Sequence, residues 1–249
     1  MSTLTCPAKV NIFLAIRGKD ASGFHEIETV LARVPELFDE IEIEAADVFS
    51  FHCESLPGQS NSVVQAVRLL EAHTGRTFSY KITLKKNIPP RSGLGGGASD
   101  AAAILLYLNE HEKLGLTPAA LQALGAQIGM DVPFFVSGAE VALGTHYGEI
   151  ITPLPALPSD LKISVELTGH EVSTPEAYAR WDAQARTPAP TSKFLLAAIH
   201  YGYAKGIVNA TYNDFELITP ECGPYSKTRH LCGSGGAVFT CAVALPSPE

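Results

Sequence analysis

Residues 89–100 read P-P-R-S-G-L-G-G-G-A-S-D and place Gly93, Gly95, Gly96 and Gly97 within five positions. Glycine lacks Cβ and takes positive φ readily, so successive main-chain N–H groups in such a stretch can converge on one anion. Ala101, Ile104, Leu105 and Leu108 then recur at helical spacing, with Ser99 and Asp100 where an N-cap belongs. A helix N-terminus adds donors without intrahelical partners and the positive end of a dipole. That combination suits phosphate. The plainer alternative is a tight strand-to-helix connection, against which stands the ~1 kcal/mol that each glycine costs in ordering. The stretch is not a Walker A loop, because no Gly-Lys-Ser/Thr follows. It is not the dinucleotide fingerprint either: Ala98 would replace the third glycine, and no acidic residue closes a strand about twenty positions on. The H-R-D and D-F-G signatures of protein kinases are missing.

Three other residues could carry chemistry. Lys9, two residues before Asn11, stands on the less apolar face of an alternating stretch, either as a surface lysine at a sheet edge or as a cation offered to a site. Asp131 comes soon after Gly129 and directly before Val-Pro-Phe-Phe, which fits a turn or helix cap as well as a catalytic carboxylate. His25 follows Gly23-Phe24, where a solvated hairpin histidine is the commoner outcome.

These residues need elements to position them. Val10, Ile12, Leu14 and Ile16 alternate with Lys9, Asn11 and Phe13, predicting a strand over 5–16, and 24–30 returns as its hairpin partner after a turn at 19–23. Ile41 and Ile43 among Glu40, Glu42 and Glu44 predict a third strand with one wet face. A helix capped by Asn61 or Ser62 runs through Val63, Val67 and Leu70 to Gly75, and a strand over 80–85 feeds the glycine loop. Thr117-Pro118 and Thr174-Pro175 open further helices, the second carrying Tyr178 and Trp181. A strand over 161–167, a linker over 187–190, a helix over 194–203 and a closing strand over 237–245 complete the chain. Pro153, Pro155 and Pro158 mark a boundary, giving domains 1–152 and 153–249. Strands and helices mix without strict alternation, which predicts an α+β fold.

Composition narrows the classes. The 249 residues, 46% apolar and 18% charged, suffice for a full core, and a net charge of -8 without basic runs argues against nucleic acid as a partner. Five cysteines form no C-x-x-C, so reduced buried thiols are expected rather than disulfides or zinc. With neither a signal peptide nor a membrane-length apolar run, a cytoplasmic protein is expected.

Taken in order, P-A-K-V-N-I-F-L (7–14), G-F-H (23–25), the glycine loop, D-V-P-F-F (131–135), S-T-P-E-A-Y (173–178), N-D-F-E (213–216) and G-S-G-G-A-V-F (233–239) resemble the GHMP small-molecule kinases over residues 5–240. The glycine loop marks the superfamily. P-A-K-V-N, G-F-H and S-T-P-E-A-Y point to a branch whose acceptor is CDP-methylerythritol. The resemblance implies a two-domain GHMP kinase fold with an N-terminal ATP-binding domain and a smaller C-terminal domain, shortened here relative to the family. It also implies ATP as co-substrate, Mg²⁺ bridging its phosphates with no side chain assigned as ligand, and a monomer or homodimer without a membrane partner. The alternatives are another GHMP small-molecule kinase, or a nucleotide-binding homologue without turnover.

Residue by residue, the resemblance implies that Asp131 orients or receives the proton of the attacking hydroxyl, and that Lys9 offsets charge beside it. Pro89, Pro90, Arg91, Ser92, Gly93, Leu94, Gly95, Gly96, Gly97, Ala98 and Ser99 would cradle ATP. His25 would hydrogen-bond a cytosine edge while Phe24 and Tyr178 stack on the ring, with Asn11 and Thr174 near the acceptor. Phe24 stands where the family usually has tyrosine, and Ala98 where it commonly has serine.

Overall fold

The alternation over 5–16 lies within an eighteen-residue strand, β1 (Ser2–Lys19), whose residues from Ala8 to Ile16 are buried on both faces. The structure is a computed structural model, and it describes residues 1–56, 58, 60–184 and 188–244. The expected linker residue Thr187 and the last residue of the expected closing strand, Leu245, lie outside them.

The second and third strands expected from sequence are one element, β2 (His25–Ala45). Its first part pairs antiparallel with β5 (Val141–Thr145), and its last part pairs antiparallel with β4 (Tyr80–Lys85). The break in the sequence signal is therefore a change of partner, not of element. β1 and β2 are hydrogen-bonded neighbours.

The chain forms two compact units, and both strands pass through both. The units interleave along the chain, because β1 and β2 are long enough to serve each. The first unit comprises Met1–Lys9, Val34–Pro90 and Gly95–Ala139. In it β4 lies between the end of β2 and the short parallel β3 (Ser50–His52). Ile41, Ile43, Ile82 and Leu84 are buried, while Glu40 and Glu44 meet Lys85 and Lys81 on the wet face at 2.8 and 2.9 Å. Helices α1 (Ser62–Thr74), α2 (Gly96–His111), α3 (Pro118–Ala126) and α4 (Val132–Val136) supply the rest. Asn61 caps α1 by accepting from Val63 N–H, Gly75 ends it in the left-handed region, and Thr117 caps α3 ahead of Pro118, as their types dictate.

The second unit comprises Val10–Arg33, Arg91–Leu94 and Glu140–Glu249. Here β10 (Ala237–Val243) runs antiparallel between β7 (Leu161–Leu167) and β9 (Arg229–Leu231). The two-residue β8 (Tyr212–Asn213) lies parallel to β1, and β6 (Ile150–Pro153) pairs antiparallel with β5. α5 (Thr174–Asp182) covers a core that includes Leu14, Ile16, Val172, Ala177, Phe215 and Val238. The helix expected over 194–203 is α6 (Lys193–His200), cut short where Gly202 turns left-handed at φ 63°, and a further helix, α7 (Ala204–Ala210), follows it. The mixture of sheets and helices is the α+β class expected.

Gly93 and Gly236 bring two loops of the second unit together main chain to main chain. Gly93 sits at φ 77°, and a Cβ there would strike the Cys232 carbonyl; a Cβ on Gly236 would strike the Arg91 carbonyl. Gly115 has a similar φ of 71° with nothing within 4 Å of its missing Cβ. We expect Gly115→Ala to cost about 1 kcal/mol through φ alone, and Gly93→Ala to cost roughly 2–4 kcal/mol because the clash adds to it. Urea unfolding midpoints of the two variants would read the difference, and equal losses would show that the close approach is not a constraint.

Candidate active site

Lys9 is a buried cation, not a lysine at a sheet edge. Its side chain is 4% exposed, and Nζ lies 3.2 Å from Asp131 Oδ2. An ammonium taken out of water needs such a partner. Asp131 occupies the N-cap position of α4 yet makes no side-chain cap bond, so the sequence's cap reading gives way to the ion pair. Its carboxylate stays 38% exposed, leaving it open to a ligand.

Gly95, in the glycine loop, packs on the lysine of this pair. Gly95 sits at φ 70°, and a Cβ there would come within 2.9 Å of Lys9 Cγ and Cε and 3.3 Å of Phe135. Helix α2 begins immediately after, with Gly95 at the N-cap position and no side-chain cap bond. This corrects the expectation for Ser99 and Asp100: both lie inside the helix and are buried, and the bond from Ser99 N–H to Gly95 O is 2.9 Å. The helix starts earlier because glycines, not a capping side chain, open it. The amides of Gly96, Gly97 and Ala98 therefore lie ahead of that bond, where an anion finds donors. On the other side of Gly95, Arg91 is held at φ 54°, a conformation that costs a non-glycine residue about 1–2 kcal/mol. Such strain is often kept at ligand-binding turns.

A charge cluster that the sequence did not reveal anchors the same helix. Lys86 pairs with Asp39 and lies 2.9 Å from Asp100 Oδ2, all three side chains being almost wholly buried. Asp39 Oδ1 also accepts from the amides of Asn87 (2.6 Å) and Ile88 (2.8 Å), pinning the segment that enters Pro89. A Cβ on Gly96 would come within 3.0 Å of Lys86 Nζ. Burial, opposed by the Lys86 charge and reinforced by Asp39, pushes the Asp100 carboxyl up to about 7.

In the second unit, His25 stacks on Tyr178 with ring centres 4.3 Å apart. One face of Tyr178 is thus against the histidine. Phe24 is 55% exposed and tilts against Tyr147 at 5.3 Å, and the Tyr147 hydroxyl is bonded to Asp20. Asn11 Nδ2 donates to Thr29 Oγ1 at 2.8 Å, and Thr174 Oγ1 lies 3.1 Å from Ser234 Oγ. A Cβ on Gly233 would approach Asn11 Oδ1 to 3.4 Å, so His25, Tyr178, Phe24, Asn11 and Thr174 share this unit with the second glycine loop. Asp182, Lys19, Ser234 and Tyr147 are not singled out by the sequence as site residues, since single polar residues at remote positions carry no periodic signal.

Residues 61–139 match the family described as GHMP kinases N terminal domain. The chain is 37% identical to 4-diphosphocytidyl-2-C-methyl-D-erythritol kinase of Gloeobacter violaceus, across 94% of this chain and 80% of that protein. It is 40% identical to the protein of that name from Alcanivorax borkumensis, across 96% of this chain and 81% of the relative. The chain belongs to the 4-diphosphocytidyl-2-C-methyl-D-erythritol kinase family of GHMP kinases. A crystal structure of 4-(cytidine 5'-diphospho)-2C-methyl-D-erythritol kinase superposes with a TM-score of 0.80 at 29% identity, covering 98% of this chain and 91% of that one. The first glycine loop and Asp131 fall within residues 61–139. Among the described residues no helix is long and apolar enough to cross a membrane.

The raised Asp100 carboxyl has a definite sign. The unfolded chain releases this proton near 3.8 and the folded chain near 7, so folded stability falls as pH rises between those values and is flat above. Asp100→Asn removes the titration and leaves Lys86 its Asp39 partner. We expect wild type to lose stability relative to this variant between pH 5 and pH 8, measured by urea midpoints at fixed salt. A gap independent of pH would show that Asp100 is ionised throughout.

Proposed function

We propose that this protein transfers the γ-phosphoryl group of ATP to the 2-hydroxyl of 4-diphosphocytidyl-2-C-methyl-D-erythritol, in the non-mevalonate route to isoprenoid precursors. The observation that carries the reading is the Lys9–Asp131 pair beneath Gly95, a dry ammonium and a half-wet carboxylate at the mouth of a helix opened by glycines. The family relatives' names supply the acceptor. On this reading residues 1–152 and 153–249 correspond to the family's N- and C-terminal domains, and the enzyme works in the cytoplasm.

Phosphoryl transfer depends mainly on positioning and on stabilising charge as it spreads over the transferring group. Pro89 to Ser99 hold the triphosphate through main-chain donors. Asp131 orients the acceptor hydroxyl and takes its proton as oxygen bonds to phosphorus; the bond from phosphorus to the β–γ bridging oxygen breaks, and ADP leaves. Lys9 faces the developing negative charge. His25 and Phe24 hold the cytosine, with Tyr178 behind the histidine and Asn11 and Thr174 beside the acceptor. Among the described residues no group of three or more His, Cys, Asp or Glu is placed to hold a metal. Mg²⁺ brought with the ATP phosphates would supply charge neutralisation there.

Incubation of the protein with ATP and the acceptor, followed by identification of the 2-phosphorylated product, tests the reading. Asp131→Ala should lower kcat by about 10²–10⁴-fold while the ATP dissociation constant stays within about threefold, since the carboxylate acts on the hydroxyl and not on the nucleotide. Loss of ATP binding in that variant would instead make Asp131 a structural residue.

A further inference from the structure

His25 is held by stacking and by one carboxylate. Its side chain is 8% exposed, with Tyr178 against its face and Trp181 edge-on at 5.6 Å and 87°. Nε2 lies 2.7 Å from Asp182 Oδ1, at the last residue of α5. The other oxygen of Asp182 is 2.8 Å from Lys19 Nζ. Hydrogen bonds from Lys19 and then His25 hold the Asp182 carboxyl below its ordinary range, so it is an acceptor only. Nε2 must then carry the proton. Because Lys19 already balances the carboxylate's charge, the contact demands no second proton on the ring, and Nδ1 is left with a lone pair. A nitrogen that can only accept pairs with an amino group and repels a carbonyl oxygen. At the 4-position of a pyrimidine that is the difference between cytosine and uracil.

We propose that Asp182, with Lys19, is a positioning residue that holds His25 in its Nε2–H form and so makes the acceptor site select a 4-aminopyrimidine over a 4-oxopyrimidine. The selectivity rests on the function proposed above; the state of the ring does not. A site built around one hydrogen-bond polarity rejects the opposite one far more strongly than a merely apolar pocket does.

Two measurements on the full-length protein decide it. Long-range ¹H–¹⁵N correlation, with the His25 signals identified by their absence in His25→Gln, should show Nε2 protonated and Nδ1 bare in the free protein, and a mixture of forms in Asp182→Ala. Turnover of the cytidine acceptor against its uridine-diphosphate analogue should show the ratio of kcat/KM falling at least about tenfold in Asp182→Ala. The loss should appear in the acceptor KM, with kcat and the KM for ATP within about twofold, a split that general damage to the fold would not produce. A proton on Nδ1 in wild type, or unchanged selectivity in Asp182→Ala, overturns the proposal. If wild type turns over neither acceptor, the proposed function and the selectivity fall together; the ring measurement distinguishes that result from a failure of Asp182 to fix the histidine.

Discussion

A buried ammonium has to be paired, and at Lys9 the need is met by a carboxylate that is itself not buried. That asymmetry constrains the surrounding chain. Asp131 gives up the cap bond its position offers, so α4 begins without one. Gly95 must lack a side chain, because the lysine stem fills the space where Cβ would stand. With glycine there, α2 starts at Gly96 with bare amides at its mouth. The donors for an anion and the charged pair are thus one packing solution, reached from three separate stretches of sequence.

Much of this was legible because the signals are local. The period of two in β1 placed Lys9 and Asn11 on one face, the glycine cluster announced a turn that opens a helix, and Asn61, Gly75 and Thr117 acted as their types demand. Other features were hidden for physical reasons. Ser99 and Asp100 have capping side chains, but glycines ahead of them opened the helix first. β2 reads as two strands because its ends face different partners. Strands of two or three residues such as β3 and β8 are too short to show alternation. Asp182 is 157 residues from His25, and Asp39 is 47 from Lys86, distances over which only the fold can pair charges.

The Lys86 cluster and the His25 pair show two uses of a carboxylate. Asp39 and Asp100 lie out of water around one buried cation, so the charge state of each carboxyl depends on the other two groups. Asp182 is part-exposed, and its charge is shared with a solvent-facing lysine. It contributes little to holding the chain together, yet it constrains where one proton sits on a neighbouring ring. Burial decides which of these roles an aspartate plays.

The seam where Gly93 and Gly236 bring their loops together is made of main-chain atoms. Such a seam is indifferent to the identity of side chains that point away from it. Arg91 illustrates this: its side chain is 67% exposed and lies 3.5 Å from Glu171. Drift over evolutionary time, or a randomised library, can therefore rewrite the outward chemistry of these loops while leaving their spacing intact. Tolerance should change abruptly from one position to the next, with no gradual decline away from the glycines.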